Sequence, residues 1–347
     1  MAISPATIYD VARAAGVSPA TVSRVLNEPS RVQSGTRKRV MEAIGALGFV
    51  PKADAVAHAR KQYKKIGVIA PFFTEPSFMQ RLRGLSSVLS GKHYELVVYA
   101  IESVEELDEY VDMLAANRRV DGLVVLCLNF GPETLQTLRD SLLPACFVES
   151  DVSGFDSVAV DNYEGGRLAA RLLHEKGYRR PAFIGEASSR PFAVPSTDIR
   201  LRGFRDYFLE KGITLEDRHT WLGEFSSGTA DRGIEGLLGG VDLPDCVFAS
   251  SDMIALRVSK FAAARGMRVP EDLGLIGFDD LDIAEYLSLT TVSQGLDESG
   301  RLAAEMILDR LQEPGRSPRK ILAALEVKDR GTLTNVASCG GGEDVSE

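Results

Sequence analysis

The stretch TIYDVARAAGVSPATVSRVLNEPSRVQSGTRKRVMEAIGALGFVP, residues 7–51, decides how this chain is read. Ile8, Val11, Ala12 and Ala15 recur at helical spacing, which places them on one face. Gly16 breaks that helix, because glycine enters a left-handed turn without steric cost. Ser18 and Pro19 start a second helix, as N-cap and first helical residue, with Val22, Val25 and Leu26 as its buried face. Val40, Ala43, Ile44 and Leu47 give a third helix, ended by Gly48. Two helices joined by a tight turn form a helix-turn-helix, whose second helix enters a DNA major groove by its N-terminal end. Pro19, Ala20, Thr21 and Arg24 stand at that end. Arg24 can pair with guanine O6 and N7, and Ala20 offers a methyl contact suited to thymine. Ser18, Thr21, Ser23, Thr36 and Arg37 are placed for phosphates, which fix position without reading sequence. The bland alternatives are a purely capping Ser18 and a solvated Arg24.

Charge separates this segment from the rest. Residues 1–65 hold 11 Lys and Arg against 4 Asp and Glu, a net of +7. The whole chain of 347 residues carries −9, so the remainder carries −16. A basic head on an acidic body implies that the head alone meets a polyanion. No apolar run is long enough to span a bilayer, and MAISPATIYDVARAAG lacks the pattern of a secretory signal, so a cytoplasmic location is expected. Cys127, Cys146, Cys246 and Cys339 show no Cys-x-x-Cys spacing and read as reduced thiols. The four histidines are scattered, so no metal and no cofactor is expected.

From residue 66 onward apolar strands alternate with amphipathic helices. The expected strands are 66–71, 95–100, 121–128, 144–149, 157–161, 180–186, 219–222, 245–251, 273–280 and 321–330. Continuous apolar strands each followed by a helix imply an α/β fold of parallel sheets flanked by helices. Their number implies two lobes. The expected organisation is a DNA-binding head at 1–50, a hinge at 51–65, a two-lobed core at 66–336 and a disordered tail at 337–347. One lobe spans about 66–162 and 293–322, the other about 163–292 and 323–336.

The head resembles the DNA-binding domain of the lac repressor (LacI/GalR) family of transcriptional regulators. The match runs through D-V-A-x-x-A-G-V-S-x-x-T-V-S-R-V-L-N almost without interruption. Residues 66–336 resemble, more weakly, the family's periplasmic-binding-protein-like core. The resemblance implies a homodimer on a pseudo-palindromic operator, acting as a repressor controlled by a small molecule. It adds Thr7, Asn27 and the hinge residue Ala55 to the DNA contacts. It also places His58 where the family inserts a leucine into the minor groove; a plain linker residue is the alternative.

In open α/β sheets ligands bind beyond the carboxyl ends of strands. Phe72, Phe73, Glu149, Asp161, Phe225 and Asp279 lie just after strands, and Arg200 opens the helix after the loop 187–199. Charged groups for hydroxyls and rings for apolar faces suit a polyhydroxylated ligand, a sugar. The resemblance selects Arg200 and Asp279 as the leading pair and adds Ser77, Phe78, Ser196 and Ser251. Ser251 replaces an asparagine of the lac repressor itself, so that protein's sugar is not carried over. Asp161 could instead be a helix cap, and Phe78 a core ring. No phosphate loop, dinucleotide fingerprint or nucleophile elbow is present, which argues against an enzyme. A core that answers to a protein partner, or a sugar carrier, are the remaining alternatives.

Overall fold

The structure, a computed structural model, describes residues 7–27, 32–47, 49, 63–117, 119–187, 191–224 and 229–336. They fall into two compact units, the head and the core.

The head consists of α1 (Ile8–Ala15), α2 (Pro19–Asn27) and α3 (Ser34–Leu47). Gly16 has φ 64°, and the N–H of Val17 reaches back to the Ala12 carbonyl at 3.0 Å, closing α1. Val11, Ala12, Ala15, Val22, Val25, Val40 and Ala43 form the core, as the periodicity requires. Leu47, expected inside, is 40% exposed, because it ends α3 beyond the reach of so small a core. The side chain of Leu26 and all of Gly48 lie outside the described residues.

The core is α/β and holds two six-stranded sheets among the described residues. The first contains β1 (Lys65–Ala70), β2 (Glu95–Ala100), β3 (Gly122–Leu126), β4 (Ala145–Val148), β5 (Asp156–Ala159) and β11 (Lys320–Leu322). Their order is β11-β5-β4-β3-β1-β2, and the β11–β5, β5–β4, β4–β3 and β3–β1 pairs are parallel. The second contains β6 (Pro181–Glu186), β7 (Thr220–Gly223), β8 (Cys246–Ala249), β9 (Gly274–Asp279), β10 (Thr291–Ser293) and β12 (Glu326–Lys328), ordered β12-β10-β9-β8-β6-β7. Only β12 runs antiparallel, on β10.

The first sheet carries α4 (Pro76–Gly91), α5 (Val104–Asn117), α6 (Pro132–Ser141) and α12 (Leu296–Gln312). The second carries α7 (Asn162–Glu175), α8 (Ser196–Glu210), α9 (Thr229–Leu238), α10 (Asp252–Ala264) and the short α11 (Asp282–Tyr286). Both faces of the second sheet are buried. Phe183, Phe248 and Phe278 pack under α7 and α8, while Ile184, Val247 and Ala249 pack under α9 and α10. This two-sided burial is why the strands read as continuous apolar runs.

The expected strand 321–330 divides: β11 joins the first sheet and β12 the second. An apolar run records burial and not which sheet buries it. The strand β10 has no counterpart among the expected strands, since three residues are too few to show a period. The chain crosses between sheets after β5, β10 and β11, so strand ends of both sheets face a common cleft within the core.

Candidate functional site

A cavity of about 170 Å³ lies in this cleft, lined by Phe72, Ser77, Phe78, Arg81, Glu149, Ser196, Arg200, Ser251, Asp279 and Gln294, with Cys127 and Glu186 among the remainder. Past Glu186, Ser251 and Ile254 it adjoins a wider chamber of about 360 Å³, which Glu75, Met253, Arg257 and Lys260 also line.

The backbone aims the acids into the cleft. Cys127 and Glu149, each one residue beyond its strand, have φ of 56° and 64°; Asp279, closing β9, has φ 115°. Side chains rarely adopt such values, and strain of this kind gathers at binding sites.

Four charged groups then meet. Arg81 donates to Glu149, and at 3.1 Å to Oε1 of Gln294. Gln294 donates from Nε2 to Asp279 at 2.6 Å, and the Ser196 hydroxyl donates to Glu149 at 2.9 Å. Arg200 donates from Nε to Asn162 Oδ1 at 2.8 Å and from Nη1 to the Ser250 carbonyl at 2.7 Å. Its guanidinium lies 3.6 Å from the Phe278 ring centroid, a stacked cation–π contact. Because Glu149 directly follows β4 of the first sheet and Ser196 begins α8 on the second, their bond joins the lobes.

Burial pushes the Glu149 carboxyl upward, but Arg81, Arg200 and the Ser196 hydroxyl outweigh it and hold the group below the ordinary range. For Asp279 burial wins over the two arginines, and the carboxyl rises to about 6. Burial also lifts Asp252, at the start of α10, to about 8, with nearby Asp279 adding to the effect. The cleft therefore offers two fixed cations, one fixed anion and one carboxylate that titrates just below neutrality.

In the head, α2 presents Ala20, in its first turn, and Arg24, in its last, to solvent. The Ser18 hydroxyl caps α2, accepting from the Thr21 N–H at 3.1 Å. The Thr7 hydroxyl donates to Asp10 at 2.6 Å.

Residues 7–52 match the model of bacterial regulatory proteins of the lacI family, and residues 170–333 match a periplasmic binding protein-like domain. The HTH-type transcriptional repressor PurR of Vibrio cholerae is 31% identical, with 95% of this chain and 99% of that protein covered. The lac repressor dimer bound to operator and the anti-inducer ONPF superposes with a TM-score of 0.79 at 26% identity, covering 95% and 100% of the two chains. A complex of the transcriptional regulator CelR with cellobiose superposes with a TM-score of 0.68 at 28% identity, covering 94% and 99%.

The chain belongs to the lacI family of bacterial regulatory proteins.

This lacI-family chain is thus a DNA-binding transcriptional regulator with a periplasmic-binding-protein-like core. No helix among the described residues is long and apolar enough to cross a membrane. Its cavity gathers Phe72, Ser77, Phe78, Glu149, Ser196, Arg200, Ser251 and Asp279 from the residues expected there. Arg200 lies one turn inside α8 and does not open it, because Ser196 begins the helix. Phe73 packs against the core of the first lobe and does not line the cavity. Asp161 is also outside the lining, and its carboxylate accepts from the Glu164 N–H at 2.9 Å as the cap of α7. Its neighbour Asn162 is the residue that reaches Arg200. Phe225, Ala55 and His58 lie outside the described residues, as does the side chain of Asn27.

Sequence reasoning missed Arg81 and Gln294. An arginine inside a helix reads as a solvated surface group, and Gln294 sits in a crossover with no motif. One signal was available for the first: Arg-Leu-Arg-Gly occurs at 81–84 and again at 200–203.

Proposed function

We propose that this regulator is a repressor that reads a pseudo-palindromic operator as a homodimer, through α2, and is released or retained there by a carbohydrate in the cleft. The observation that carries the ligand assignment is the cavity itself. Two guanidinium groups and the carboxylates of Glu149 and Asp279 line it together, and the rings of Phe72 and Phe78, also in its lining, stand edge to face at 5.9 Å. Charged donors and acceptors hold hydroxyls, while rings cover the apolar face of a sugar. The cleft is read as a binder and not a catalyst, since its acids are engaged with Arg81, Gln294 and Ser196. The cellobiose of the CelR complex and the operator-bound lac repressor dimer support the same reading.

In the mechanism, ligand contacts to Asp279 and Arg200 on one lobe and Glu149 on the other favour one arrangement of the lobes. A ligand shifts such an equilibrium only by its differential affinity for the two states. Arg24 and Ala20 read base edges beside Pro19, with Ser18, Thr21, Ser23, Thr36 and Arg37 on the phosphates and Thr7 and Asn27 as further DNA contacts.

The test uses operator fragments selected from a random library, with release followed while a sugar panel is titrated. Arg200→Ala and Asp279→Ala should each abolish the sugar response and leave operator affinity within about threefold of wild type, since neither touches the head. Both variants responding at wild-type sugar concentrations would place the effector elsewhere.

A further inference from the structure

The repeated Arg-Leu-Arg-Gly is a structural repeat as well as a sequence one. In both copies the first arginine, the leucine and the glycine are buried and the second arginine is exposed. Both glycines sit at a crossing of two helices. A Cβ on Gly84 would fall 1.9 Å from the Asp297 carbonyl oxygen, and one on Gly203 would fall 2.0 Å from that of Tyr163. The partner helices answer with glycines of their own: Gly300 of α12 lies against the backbone of Arg81, and Gly166 of α7 against the backbone of Arg200. The second arginines are surface clamps. Arg83 pairs with Asp297 at 2.6 Å, and Arg202 lies 5.4 Å from the Tyr163 ring centroid. Each lobe thus drives one helix hard against another at a glycine pair, and the same turn delivers one buried arginine to the cavity wall.

Arg200 is already the leading effector contact. Arg81 has the equivalent position in the opposite lobe. It is 2% exposed, lines the cavity and is backed by Glu149, as Arg200 is attracted by Asp279. Among the described residues its Nε is buried without a hydrogen-bond partner. A buried donor left unpaired is costly, and of the three such side-chain atoms among the described residues this is the one on the cavity wall.

We propose that Arg81 is a second effector-contacting arginine, so that the ligand is a polyol held by a guanidinium from each lobe, on two different hydroxyls. The inference rests on the carbohydrate reading above. It makes recognition two-sided: one hydroxyl is chosen by Arg200 on the second lobe and another by Arg81 on the first. A sugar lacking either oxygen loses its bridge between lobes, and with it the ability to hold them together.

The experiment is a chemical double-mutant cycle on the full chain. Glucose, galactose, ribose and cellobiose are titrated calorimetrically against wild type, Arg81→Lys and Arg200→Lys, and the tightest binder is then replaced by its single-deoxy analogues. Lysine keeps the charge beside Glu149 but loses the guanidinium fork. Arg81→Lys is expected to weaken the parent sugar at least tenfold. One deoxy analogue, at least tenfold weaker on wild type, should bind Arg81→Lys no worse than the parent sugar does. For Arg200→Lys the insensitive position should be a different hydroxyl. If Arg81→Lys does not fold, the paired variant Arg81→Gln with Glu149→Gln, which buries no lone charge, should show the same insensitive hydroxyl. An equal loss for every analogue would make Arg81 a mere support, and no loss would remove it from the site; either overturns the proposal while the carbohydrate reading stands. Failure of all four sugars to bind wild type would bring down that reading and this inference together.

Discussion

Asp252 and Asp279 show what burial does to a single carboxyl. Asp252 is fully buried, accepting from the Leu281 N–H at 2.7 Å and from the Thr291 hydroxyl. Burial nevertheless lifts it to about 8, against an unfolded value near 3.8. The folded state therefore keeps a proton that the unfolded chain releases. Its contribution to stability is complete below pH about 4 and is lost as pH rises toward 8. Denaturant titrations of wild type and Asp252→Asn at several pH values should differ in slope. Between pH 5 and 8 the variant should lose less stability than wild type, by on the order of 1–3 kcal/mol, whatever its absolute level. Parallel curves would mean that Asp252 is ionised in the fold. Asp279, at about 6, acts on binding in the other direction. If its carboxylate accepts from a sugar hydroxyl, affinity is full above pH 7 and falls as pH drops through 6. Affinity that is flat between pH 5 and 7.5 would remove Asp279 from the contacts.

At the scale of elements, the helix crossings set the site. Adding a Cβ at Gly166 brings it to 2.0 Å from the carbonyl oxygen of Arg200, a backbone atom that cannot swing away. Gly166→Ala should therefore push α7 and α8 apart, cost about 1–3 kcal/mol and weaken sugar binding by displacing Arg200. Gly45, inside α3, makes the control, since nothing lies within 4 Å of its added Cβ. There alanine should stabilise the head by about 0.5–1 kcal/mol through helix propensity alone. Melting curves of the two variants moving in the same direction would show that the crossing is not the constraint.

For the whole molecule, charge assigns the tasks. Residues 1–65, the head with its hinge, carry +7 and the remainder −16. Binding to DNA through the head releases condensed counterions, so the logarithm of affinity should fall steeply and linearly with log salt concentration. Arg24→Ala should blunt discrimination between operator and unrelated DNA more than it lowers total affinity, because a base contact is lost and the phosphate contacts stay. A salt-independent affinity, or an unaltered base preference in Arg24→Ala, would contradict the assignment of α2. Sedimentation at micromolar concentration should give a dimer. The expectation rests on sequence: residues 337–347 contain three consecutive glycines and no leucine heptad, the pattern that a coiled coil joining two dimers needs. A stable tetramer at that concentration would overturn this expectation.

The sequence by itself determined the head and the class of the core. Val11, Ala12, Val22 and Val40 mark their helices because a short helix survives only by burying one face, and that face has a fixed period. The core strands were legible because sheets buried on both sides demand unbroken apolar runs. Arg200 and Asp279 were legible from their motif and from their place beyond strand ends. The tertiary structure decided what no local pattern records. It sent 320–322 and 326–328 to different sheets, since burial looks alike in either. It gave Asp161 to a helix cap and Asn162 to Arg200, a choice between neighbours that turns on a single backbone direction. It also placed Arg81, Glu149, Gln294 and Asp279 in one chain of hydrogen bonds. Those residues are separated by up to 213 positions, and a charge becomes a site only when its partners arrive and water leaves.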